Sequence, residues 1–97
     1  MPRVRLPGAV TMGKVAVTYR ILPKEAGVDV GGLESSVRST LGGALRDVAV
    51  RPIAFGLKAL EATVVVDDAE GQAERIEERI RGIAGVGEVE TLGMSLL

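Results

Sequence analysis

The stretch ALRDVAVRPIAFGLKALEATVVVDD, residues 44–68, decides the fold. Both of its flanks read as strands. Ala44 to Val50 is a short apolar run, and Lys58 to Asp67 puts Leu60, Ala62, Val64 and Val66 on one face by strict alternation. Between them, Pro52 lacks a donor and does not belong in a central strand. Gly56 permits an unusual backbone angle. No helical stripe intervenes, so the chain turns directly from one strand into the next.

Outward from this pair, each side repeats one pattern. Toward the N-terminus, Val15, Val17, Tyr19 and Ile21 alternate with Lys14, Ala16, Thr18 and Arg20, which predicts a half-buried strand ended by Pro23. Asp29 stands where an N-cap belongs, and Val30, Leu33, Val37 and Leu41 form one helical stripe. Gly42-Gly43 supplies its stop. Toward the C-terminus, Asp67-Asp68 offers a second N-cap. Ala73, Ile76, Ile80 and Ile83 form the second stripe, and Val89 to Leu96 reads as the last strand.

The order is β-α-β-β-α-β. Two βαβ halves, each with one amphipathic helix, predict an α+β fold, the ferredoxin-like split βαβ sandwich. Its four-stranded antiparallel sheet carries both helices on one face and leaves the other face open. The alternation points Tyr19 toward the helices. Residues 1–11, with two prolines and no sustained period, read as a loose arm ahead of a domain over residues 12–97.

Composition narrows the chemistry. The 97 residues suit one small domain with an aliphatic core, and no apolar run is long enough to span a membrane. Cysteine and histidine are both absent, which removes disulfides, thiolate nucleophiles, the usual general base and the commonest metal ligands. No metal site and no cofactor is expected. Asparagine is also absent and Gln72 is the one glutamine, a composition that points toward a thermophilic source. Charge is unevenly spread. Residues 1–60 carry nine basic and four acidic side chains, and residues 61–97 carry three basic and nine acidic. Such asymmetry can steer a charged partner.

Several functions common on this topology fit poorly. Acylphosphatases resemble the chain in length and order of elements, but their pattern pairs an arginine with an asparagine that is missing here. RNA-recognition domains stack bases on exposed aromatics, and only Tyr19 and Phe55 are aromatic. The pair Asp67-Asp68 suits capping better than cation binding. A ligand-binding regulatory or interaction domain of the same fold remains the alternative reading. Protein–protein binding draws attention to Phe55, which stands at a turn where its ring either tucks into the core edge or reaches out as an anchor.

The motif PIAFGLKAL, followed by TVVVDDAEG, resembles the exchange-factor domain of the translation elongation factor 1-beta family, particularly its archaeal form. MGKVAVTYRILP and GVDVGGLESSV are similar to that family's first strand and first helix entry. The resemblance runs from Met12 to about Leu97 and implies the same β-α-β-β-α-β fold. It implies a guanine nucleotide exchange factor, not an enzyme of covalent chemistry, that acts on the GTPase elongation factor 1-alpha in the cytoplasm as a monomer, without direct contact to nucleic acid or membrane. It places Phe55 and Lys58 in the partner contact, with Gly56 shaping the turn and Arg51 a further candidate. One departure is plain. Eukaryotic members carry a lysine next to the last residue, and here Leu96 takes that place.

Overall fold

The computed structural model describes residues 13–25, 27–67 and 71–97. The N-terminal arm expected over residues 1–11, and Asp68, lie outside the described residues. Six main elements follow in order: β1 (Lys14–Pro23), α1 (Val30–Leu41), β2 (Leu45–Pro52), β3 (Lys58–Asp67), α2 (Gln72–Arg81) and β4 (Val86–Leu96). The strands form one antiparallel sheet in the order β2-β3-β1-β4, which is the expected split βαβ arrangement.

The core is aliphatic and sits between the sheet and the helices. Val15, Val17, Tyr19 and Ile21 of β1 interlock with Leu60, Ala62 and Val64 of β3. Leu33, Val37 and Leu41 of α1 and Ile76 and Ile80 of α2 close over them. These are the residues the alternation and the two stripes select, because hydrophobic burial favours the register that turns every apolar side chain inward. Tyr19 brings a hydroxyl into this layer. Its Oη donates to the Ala73 carbonyl oxygen at 2.9 Å, so the polar tip is satisfied by the first turn of α2.

The helix ends differ from one another. Asp29 caps α1 as expected, its carboxylate accepting from Gly31 N at 3.2 Å. A Cβ on Gly32 would come within 3.3 Å of the Asp29 carboxylate, so the two glycines of the first turn leave room for the cap. Gly42 ends α1 with a φ of +53°, which suits glycine. Asp67 does not cap α2. Gly71, at φ +83°, holds the N-cap position without a side-chain hydrogen bond. Asp67 instead remains in β3 and pairs with Lys14 at 2.6 Å. The ladder wins here because Lys14 and Asp67 are direct cross-strand partners.

Other boundaries move by a few residues. β2 extends to Pro52, which is tolerated because β2 is an edge strand. β4 begins at Val86, ahead of the expected Val89. Ile83 lies past the end of α2 but is still buried, which completes its stripe from the following turn.

Candidate functional site

The β2–β3 connection stands at one end of the sheet. Pro52 and Lys58 are the last paired residues of that ladder. Beyond them the chain makes a single 3-10 turn, Ala54–Gly56. Two backbone bonds close it. Ile53 N donates to the Leu57 carbonyl at 2.8 Å, and Leu57 N donates to the Ala54 carbonyl at 3.1 Å. Phe55 occupies the middle of this turn. Whether its ring tucks in or reaches out lies outside what the structure describes. Gly56 takes a φ of +76°, and a Cβ there would meet nothing within 4 Å. The glycine is therefore required by backbone angle and not by crowding.

The four residues singled out by sequence converge on this end, and Arg51 and Lys58 lie on different faces. Arg51 lies opposite Ala59 on the open face and reaches Glu61 at 3.4 Å. Lys58 is exposed and has the parity of Leu60 and Ala62, which puts it on the helix side of the sheet, past the covered part. The side chains of Arg51 and Lys58 thus flank the turn from opposite sides. Leu57, at 38% exposure, and Val50, at 41%, add apolar surface beside it.

A cleft of ≈ 470 Å³ opens next to the turn. Ile53 and Leu57 form one wall, and Leu22 to Glu25 with Gly87 and Glu88 form the other. Gly87 makes this wall possible. A Cβ at Gly87 would lie 2.8 Å from both Lys24 Cα and the Pro23 carbonyl oxygen. Lys24 N also donates to the Gly85 carbonyl at 2.7 Å. Sequence reasoning did not find this cleft. The spacing Gly85-Val86-Gly87 is its one local signal in the sequence.

The open face of the sheet is crossed by a row of alternating charge. Arg51 pairs with Glu61, Glu61 stands directly opposite Arg20, and Arg20 reaches Glu90 at 3.3 Å. The row spans all four strands, and its charges cancel. Exposed pairs of this kind contribute ~0–1 kcal/mol each. Thr18 and Thr63 share a hydroxyl contact of 3.3 Å beside the row. Tyr19 is buried on the other side of the sheet, away from this face. Among the described residues no group of acidic side chains is placed to hold a metal ion, and no helix is long and apolar enough to cross a membrane.

The structure is thus a four-stranded split βαβ sandwich with a turn shaped by Gly56 at one end of the sheet. Residues 16–97 match the family of the EF-1 guanine nucleotide exchange domain, and the chain belongs to that family. It is 36% identical to the elongation factor 1-beta of Thermoplasma volcanium over 88 residues, covering 89% of this chain and 100% of that protein. It is 41% identical to the elongation factor 1-beta of Methanothermobacter thermautotrophicus over 81 residues, covering 81% of this chain and 91% of the other. The corresponding protein of Archaeoglobus fulgidus is 39% identical over 88 residues, with 89% and 100% covered. The chain is thus an exchange factor of translation elongation.

Proposed function

We propose that the chain promotes GDP release from the GTPase elongation factor 1-alpha, in the cytoplasm where translation runs, with one copy acting on one GTPase. The carrying observation is the position of Phe55, at the centre of a hydrogen-bonded turn beyond the last Pro52–Lys58 pair. A backbone closed by two hydrogen bonds needs little further ordering on binding, which suits a position for an aromatic anchor. Leu57 and Val50 widen the apolar contact, Lys58 supplies a nearby positive charge, and Arg51 approaches from the open face.

The physical requirement is linkage. The factor must bind the nucleotide-free GTPase better than the GDP-loaded form, and each ligand weakens the other by the same factor. A coupling of ~4 kcal/mol corresponds to roughly a thousandfold change in affinity. No bond is made or broken in this chain. The contact needs only to disturb the loops and the Mg²⁺ that hold the phosphates. The last residues, Met94-Ser95-Leu96-Leu97, carry no cation with which to compete for that metal site. Two routes remain for these residues: steric disturbance of the Mg²⁺, or loop contacts around the Phe55 turn. The direct measurement is release of fluorescent GDP from the GTPase with and without this protein. An unchanged release rate at saturating factor would refute the reading.

A further inference from the structure

The cleft beside the Phe55 turn has two walls, and both are braced by backbone contacts. The turn wall, Ile53 and Leu57, is closed by the bonds from Ile53 N to the Leu57 carbonyl and from Leu57 N to the Ala54 carbonyl. The facing wall is the end of β1 clamped to the start of β4. Pro23 pairs with Val86, Lys24 N donates to the Gly85 carbonyl at 2.7 Å, and the missing Cβ of Gly87 lets the two segments touch. A space held from both sides needs little ordering when it is filled.

The chemistry of the cleft is amphipathic. Leu22, Pro23, Ile53 and Leu57 line it, and each keeps part of its surface exposed. Its charged lining is Lys24, Glu25 and Glu88. Glu88 lies opposite Leu22 on the open face of the sheet, one alternation beyond Glu90. Glu90 is held by Arg20, whereas among the described residues Lys24, Glu25 and Glu88 make no ion pair. Two carboxylates against one ammonium leave the lining net acidic. An apolar slot bordered by such carboxylates suits a long basic side chain. The methylene stem packs on the walls while the charged head meets the acids.

We propose that this cleft takes a lysine or arginine side chain of the GTPase, an assignment that rests on the reading of the Phe55 turn as the place where the GTPase binds. Ile53 and Leu57 belong both to the chain around that turn and to the cleft. A partner seated on the turn therefore lies against the cleft as well. Glu88 and Glu25 stand on the wall away from the turn, so they can be changed without touching the segment that carries Phe55.

The signs of the charge effects give the test. Calorimetry measures affinity for nucleotide-free elongation factor 1-alpha. Glu25, Glu88 and Lys24 are exposed, so circular dichroism should find their variants folded. Glu88→Gln and Glu25→Gln should each weaken binding by about two- to fivefold. Lys24→Gln should tighten it, because the cation that repels the incoming head is gone. These effects should shrink in high salt. Ile53→Ala should weaken binding at every salt concentration, which long-range steering alone would not produce. Glu78→Gln, an equal change of net charge on α2, should leave affinity unchanged. Opposite signs at Glu88 and Lys24 would seat an acidic group in the cleft and overturn the proposal. Affinity untouched by Glu25, Glu88 and Ile53 together overturns it as well. Phe55→Ala keeps the two readings apart. If that variant loses affinity while the cleft variants do not, the turn is the contact and the cleft is not. An unmodified chain that does not bind the GTPase overturns both.

Discussion

Pro52 and Lys58 face each other as the final pair of the β2–β3 ladder, and they hold the two ends of the turn that carries Phe55. A turn fixed in this way presents whatever it carries without further ordering. Phe55→Ala should therefore reduce exchange efficiency by about 2 kcal/mol, roughly thirtyfold. GDP release titrated with the variant measures this. Retained exchange accompanied by a sharp fall in melting temperature would mean that the ring belongs to the core.

Gly56 offers a way to disturb the same turn without touching the ring. Its φ of +76° is costly for any residue with a Cβ, although no atom blocks one. Gly56→Ala should cost about 1–2 kcal/mol, Gly56→Val more, and Gly56→Asn least, since asparagine tolerates the left-handed region. Thermal denaturation of the three variants gives the order. Equal losses for all three would point to crowding and contradict the backbone explanation.

Tyr19 governs behaviour at high pH. Burial, with Glu77 and then Glu74 adding to it, pushes its phenol from 10.0 up to about 12. The unfolded chain loses this proton near pH 10 and the folded chain holds it to about 12. The contribution to stability is full below pH 10 and is lost as pH rises to about 12. The loss is on the order of 2 kcal/mol across that window. It is the one tyrosine in the chain, so phenolate absorbance reads it alone. Tyr19→Phe should be less stable at neutral pH by about 1 kcal/mol, from the lost bond to Ala73, and its stability should vary less between pH 10 and 12. An unmodified chain whose phenol titrates near 10 in the folded state would contradict this.

Two glycines of β4 should respond in opposite ways to the same substitution. Gly87→Ala drives a methyl group against the backbone of Pro23 and Lys24, which cannot rotate away. It should cost about 1–3 kcal/mol and distort the cleft. Gly93→Ala meets nothing within 4 Å and should be close to neutral. Denaturant midpoints compared at unchanged slope provide the measurement. Equal effects at both positions would show that the approach of β1 to Gly87 is not what limits substitution.

Most of the framework was legible from local pattern. The alternation over Val15 to Ile21 identified β1 and its inward face, including the direction of Tyr19. The stripes Leu33-Val37-Leu41 and Ile76-Ile80 located both helices, because each repeats at the period of its own element. The role of Asp67 was not legible at the start of α2. Asp67 has the chemistry of a cap, but its cross-strand partner Lys14 is 53 residues away in the chain and invisible to local reasoning. The candidate site was legible in part. Phe55 and Gly56 stood out as a break in alternation, whereas the cleft joins Leu22 to Glu25 with Ile53, Leu57 and Gly87, segments brought together by sheet order alone.

The residues by themselves determined the order of elements, the buried face of each and the position of the turn. These follow from side-chain periodicity and from the backbone limits of proline and glycine, both of which act within a few residues. Only the tertiary structure decided that Arg51 and Lys58 flank the turn from opposite faces. It also decided that Gly87 is pressed against Pro23 and Lys24. Those relations depend on ladder register and strand order, which are set by how the whole apolar layer packs and not by any one segment.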